Sequence, residues 1–127
     1  TWKIEAGAVT AQWSPFPGIE VTTTITPTAT GHRRHHEIDS SFDCEAYDCG
    51  FAVPNFAPNY AESVENDTAE AHCDTLRCTV RGRGEAVVIG CDPNTSLYFP
   101  NVHLPAVKYH IPKGHTELDT EVFDEAD

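Results

Sequence analysis

The stretch "IEVTTTITP", residues 19–27, decides the fold. Ile19, Val21, Thr23 and Ile25 share one face of an extended chain, and most of the stretch is β-branched. Two heavy atoms on Cβ stiffen χ1 and suit a pleated, half-buried surface, so this composition reads as a strand. Pro27 closes it, because proline cannot donate to a ladder. Short alternating runs of the same kind recur on either side. They include "TWKIEAG" and "AVTAQW" before it, and "YDCGFAV", "GEAVVIGC", "AVKYHIP" and "TELDTEVF" after it. "AEAHCDTLRCTVRG" reads as two strands around a turn, and no segment sustains a 3.6-residue apolar period. Residues 54–69, "PNFAPNYAESVENDTA", carry two prolines among mixed polar residues and read as a surface loop with a helical turn. Nine Pro and eight Gly punctuate the chain. The expected fold is all-β, an antiparallel β-sandwich of about ten short strands. It is expected to form a single domain over residues 1–123, with residues 124–127 as an acidic tail.

Immediately after that strand comes "GHRRHHEID", residues 31–39, five of whose nine residues are His or Arg. On a helix, His32 and His36 at i, i+4 could share a metal ion. The run is short and lies among strand-like segments, so a strand is the better reading. Strand alternation puts His32, Arg34, His36 and Ile38 on one face and Arg33, His35 and Glu37 on the other. The face ending in Ile38 is expected to be the covered one. Covering two imidazoles and a guanidinium is costly unless they meet an anion. That anion could be a carboxylate of this chain, a neighbouring domain or an acidic ligand; plain solvation of the run is the remaining alternative. No metal site is assigned.

Charge and cysteine content narrow the class. The 127 residues hold 20 Asp+Glu against 8 Lys+Arg, a formal net charge of −12. General affinity for nucleic-acid phosphates or an anionic membrane is therefore not expected. No apolar run approaches the roughly 20 residues that span a bilayer. The start at Thr1 rather than Met reads as the loss of something upstream: a signal, a tag or another domain. Five cysteines form two Cys-x4-Cys pairs, Cys44 with Cys49 and Cys73 with Cys78, and leave Cys91 over. These four paired residues are candidates for disulfides, and "NDT" and "NTS" make Asn66 and Asn94 candidate glycosylation sites. Secretion is the favoured location on this ground, with five reduced thiols in a cytoplasmic protein as the other reading. Zinc is disfavoured, since its usual knuckle spacing is Cys-x2-Cys. No cofactor is expected.

A family resemblance spans most of the chain in order. It rests on Trp13-Ser14-Pro15-Phe16, on His32, Arg34, His36 and Ile38, on Gly50-Phe51-Ala52, on residues 93–100 ("PNTSLYFP") and on Pro112 and Gly114. In these the sequence resembles the carboxy-terminal β-sandwich domain of a fungal and bacterial two-domain family. That family places an amino-terminal (α/α) toroid before the sandwich and is similar in architecture to heparinase II/III-like polysaccharide lyases. Some members are glycoside hydrolases that release glucuronic acid. Gly31 stands where the family carries Trp, and the Cys-x4-Cys pairs lie outside its pattern.

The resemblance implies part of a carbohydrate-active enzyme acting on uronic-acid-containing glycans, with the toroid as partner domain or chain. The principal acid and base groups would lie on the toroid, so no catalytic residue is assigned and this chain alone is not expected to be active. His32, Arg34 and His36 are the residues expected to contact an anionic glycan or the partner domain, since a guanidinium flanked by imidazoles can clamp a carboxylate. Trp13, Phe16, Tyr98 and Phe99 are the aromatics available for sugar stacking, with core packing the expected role for most of them. The alternative is a standalone small secreted β-sandwich that binds a glycan or protein without catalysis.

Overall fold

A computed structural model describes residues 2–5, 7–90 and 102–123. Cys91, Asn94, the 93–100 stretch with Tyr98 and Phe99, and the acidic 124–127 segment lie outside the described residues. The chain is all-β, as expected: two antiparallel sheets packed face to face, with no helix among the described residues. None is therefore long and apolar enough to cross a membrane.

The strands are β1 (Trp2–Glu5), β2 (Ala8–Phe16), β3 (Ile19–Pro27), β4 (Gly31–Ser40), β5 (Cys44–Cys49), β6 (Val53–Pro54), β7 (Ala61–Glu65), β8 (Thr68–His72), β9 (Arg77–Gly82), β10 (Glu85–Ile89), β11 (Val102–Ile111) and β12 (Gly114–Phe123). The larger sheet runs β1-β2-β3-β4-β12-β9-β8-β7. The smaller runs β10-β11-β5, with β6 paired to the start of β11. Two meanders, β1–β4 and β7–β9, thus become one sheet only through β12, which pairs with β4 on one side and β9 on the other.

The sequence pattern explains the core. The strand at 19–27 buries Ile19, Val21 and Thr23 and leaves Glu20 exposed. Ile38 from β4, Val80 and Cys78 from β9, Val122 from β12 and Val107, Tyr109 and Ile111 from β11 fill the space between the sheets. Ala69 and Ala71 on β8 are fully buried, and small residues there let β10 and β11 lie close over β7–β9. Gly82 serves the same end, since a Cβ there would strike the Tyr109 hydroxyl.

One segment departs from expectation. Residues 54–69 are not a loop with a helical turn, because β7 and β8 form a tight hairpin across Asn66 and Asp67. Asn66 supplies the positive φ of 54° that the two-residue turn needs, a conformation asparagine tolerates better than most residues. The signal was "ND" between two short alternating runs, masked by the prolines just upstream.

The sheets are unequal in width. The smaller ends at β5, whereas the larger continues past β4 through β3, β2 and β1. Where this overhang meets the edge of β5, a groove of about 490 Å³ opens. Val21 and Ile38 are among the residues at its base, and Trp13, Phe16, Phe42 and Tyr47 line its accessible side.

Candidate functional site

The site is built from β4 upward. Its alternation is as read from sequence: His32, Arg34, His36 and Ile38 face the second sheet. Opposite them β5 presents Cys44, Ala46 and Asp48, paired in register with Ile111, Tyr109 and Val107. Asp48 is the one carboxylate on that face of β5, and it meets the β4 cations directly. Arg34 donates from Nη1 to Asp48 Oδ1 at 2.7 Å and to the Cys49 carbonyl at 2.7 Å. His36 Nε2 lies 2.8 Å from Asp48 Oδ2. Arg34 Nε lies 3.0 Å from His32 Nε2, which accepts that hydrogen bond.

The network has a direction. An ionised carboxylate only accepts, so His36 Nε2 carries the proton toward Asp48. In the neutral ring Nδ1 is then an acceptor, and the Thr23 hydroxyl donates to it across 2.8 Å. Thr23 in turn accepts from the Trp13 indole N–H at 3.0 Å. A relay therefore runs from the exposed indole, through Thr23 and His36, to Asp48 between the sheets. On the far side, Thr120 donates to Asp48 and sits 2.7 Å from the Tyr109 hydroxyl. Thr120 is fully buried, and Asp48, His36 and Arg34 retain only 14%, 13% and 20% side-chain exposure.

Electrostatics follow from this enclosure. Burial pushes the Asp48 carboxyl up, but the hydrogen bond from His36, the charge of Arg34 and the Thr120 hydroxyl together outweigh it. The result is a carboxyl held down to about 2. The anion that covers the His32–Arg34–His36 face is thus the chain's own Asp48. Sequence reasoning named this kind of partner but not the residue. Glu37 and Asp39 point to the opposite face, as their parity requires, and Glu45 is exposed and pairs with Lys108 at 2.8 Å.

Arg34, His36 and Asp48 also border a second hollow of about 450 Å³ beside Val9, Ala11 and Ile25, so the network closes one end of the overhang. His36 and Asp48 line the aromatic groove as well. Phe16 packs edge-to-face on Phe42 with centroids 5.9 Å apart, and Trp13 and Phe16 are 48% and 59% exposed. Two of the four aromatics singled out from sequence therefore stand at an open groove rather than in the core. Phe42 and Tyr47, which join them, were missed; their only signal was position at the start and within the "FDCEAYDC" run.

The cysteine expectation is corrected by geometry. Cys44 and Cys49 stand at opposite ends of β5, roughly 16 Å apart at about 3.3 Å per residue, well beyond disulfide reach. Cys73 and Cys78 are not cross-strand partners, since Cys78 pairs with Ala71, and no disulfide joins them. Cys78 instead packs in the core beneath Gly50. Asn66, by contrast, is exposed at the tip of its hairpin.

No protein-family model matches the sequence, and no curated protein matches it. Among solved structures, the chain is similar to a heparinase III, the BT4657 gene product, with a TM-score of 0.60 and 11% sequence identity. The match covers 100% of this chain and 21% of the heparinase III chain, so this chain spans about a fifth of that protein's length. At this identity the likeness establishes a shared fold.

Proposed function

We propose that this chain is the β-sandwich part of a carbohydrate-active enzyme related to polysaccharide lyases and acting on uronic-acid-containing glycans. The observation that carries the reading is the match of the whole chain to one part of a larger heparinase III. The partner is an (α/α) toroid, as domain or separate chain, and the sandwich closes one side of the substrate cleft. The groove at the β5 edge supports this role. Aromatic faces suit pyranose rings, and a groove of about 490 Å³ lies within the ordinary range for small-ligand sites. Trp13, Phe16 and Tyr47 would stack on sugar rings, while His32, Arg34 and His36 act chiefly by holding Asp48 and shaping the closed end. Lyase chemistry is preferred to hydrolysis because the matched structure is a heparinase III.

The test is to express the longest protein that encodes this chain and incubate it with glucuronate-bearing and neutral polysaccharides. The expected result is depolymerisation of the uronate polymer with the ultraviolet absorbance of an unsaturated uronate product. Reducing ends without that absorbance would assign hydrolysis instead. A transcript encoding only a signal peptide and these 127 residues would overturn the reading.

The exposed hairpin position of Asn66 favours a second reading, a secreted β-sandwich that binds a glycan or protein without catalysis. Secretion is common to both. Mass spectrometry of the native protein should find a glycan on Asn66, and an unmodified Asn66 in protein recovered from its own cells would argue for the cytoplasm.

A further inference from the structure

The outer face of β4, turned away from Asp48, carries its own arrangement. Pairing with β12 sets Asp39 opposite His115, Glu37 opposite Glu117 and His35 opposite Asp119. Glu37 and Glu117 are direct cross-strand partners of like charge, an arrangement that costs stability in a bare sheet. His35 lies diagonally against them. Its Nδ1 is 2.9 Å from Asp119 Oδ1 and its Nε2 is 3.2 Å from Glu117 Oε1. One ligand atom from each of His35, Glu37 and Glu117 falls within 4.8 Å of the other two.

We propose that His35, Glu37 and Glu117 form a binding site for a divalent transition-metal ion on this face. The site is independent of the glycan reading. Three features support it. Asp119 accepts from His35 Nδ1–H and so orients the ring with Nε2 toward Glu117, where loss of the Nε2 proton would free a lone pair for a metal; carboxylate–imidazole–metal relays use this arrangement. The ion takes the place of the proton now shared between Nε2 and Glu117, and neutralises the opposed carboxylates. The donors stand on adjacent paired strands, so a small rotation of each side chain brings them to the roughly 2 Å that zinc requires. One imidazole with two carboxylates favours zinc, nickel or cobalt over calcium and magnesium, which prefer all-oxygen sites. His35 is 35% exposed and both Glu117 and the neighbouring Asp119 are more so, which leaves open positions for water and an entry path.

Calorimetric titration of the protein with zinc chloride alone tests the proposal, with calcium chloride as the comparator. One zinc per chain is expected, with at least tenfold weaker binding in His35→Gln and in Glu117→Gln. Glu65→Gln, on the remote β7–β8 hairpin, should bind zinc as the parent does. Circular dichroism of each variant establishes that the sheet is intact, as expected for changes at exposed positions. Absence of zinc binding at millimolar concentration would overturn the proposal. So would equal affinity in His35→Gln and the parent, or calcium binding as tightly as zinc, since either would indicate diffuse attraction to an acidic surface.

Discussion

Asp48 ties β5 of the smaller sheet to β4 of the larger. Arg34→Ala leaves that carboxylate short of a partner inside the sandwich, and removing one member of a buried pair typically costs about 3–5 kcal/mol. The remaining exposure of both partners brings the expected loss to about 2–4 kcal/mol, read from urea midpoints. A double-mutant cycle with Asp48→Ala should show strong coupling, whereas Arg33→Ala on the opposite face should cost little. The same carboxyl makes a pH prediction. Its folded pKa, about 2, lies below its unfolded value near 3.8. The stability it confers is therefore complete above the unfolded value and is lost as pH falls toward 2. By linkage the contribution is about 2 kcal/mol, so Asp48→Asn should flatten the fall in stability between about pH 4 and pH 2. An unchanged acid limb in this variant would show that other carboxyls govern it. Much of the β4 arrangement was legible from sequence, because a period of two is a local property. The partner was not, since it depends on which strand stacks over β4. In hindsight the signal was Cys44-x-Ala46-x-Asp48, a lone carboxylate on an otherwise apolar alternation.

At the scale of elements, β2 and β3 are joined by a turn whose geometry serves the groove. The pairing shifts register between Trp13 and Phe16, and Gly18 follows with a φ of 93°. Its carbonyl accepts from both the backbone N–H and the hydroxyl of Ser41, each at 2.9 Å, which ties this turn to the segment bearing Phe42. A Cβ on Gly18 would strike the Ser41 hydroxyl. Gly18→Ala should therefore cost at least about 1 kcal/mol from the left-handed backbone alone. It should also loosen the Phe16–Phe42 contact, visible in the aromatic proton shifts of both rings. Strand positions were readable because β-branched alternation and turn residues act over a few positions. The β7–β8 hairpin escaped because Pro54 and Pro58 gave the whole segment the composition of a loop. The cysteine spacing misled for the converse reason. A Cys-x4-Cys pair looks like a small closed loop, but a strand holds its two ends as far apart as the chain allows, so non-reducing peptide maps should contain no Cys44–Cys49 bridge.

Across the whole molecule, the mismatch in sheet width decides what the protein offers to others. A wide sheet projecting beyond a narrow one exposes apolar area that a matched sandwich would bury, and the exposed area is aromatic. Trp13→Ala tests its use. The fold should survive with a loss of about 1 kcal/mol from the severed Thr23 hydrogen bond. Affinity for a uronate oligosaccharide should fall about tenfold or more, as loss of an aromatic contact implies. Unchanged affinity would count against the proposed glycan contact at this groove. The overhang could not be read in advance: strand number and polarity are local, but how many strands each sheet receives is settled by long-range pairing.

The place of β12 carries a consequence in time. The first four strands can pair with one another as soon as they leave the ribosome, and β7–β9 can do the same. Neither meander gains its central neighbour until the last strand described has been made, some seventy residues after β4. Closing so long a loop is slow, and meanwhile β4 and β9 each present an open edge to any other nascent chain. The His/Arg-rich strand, unusual in so acidic a chain, is thus also the one left waiting, and its charges would discourage a wrong partner from docking there first.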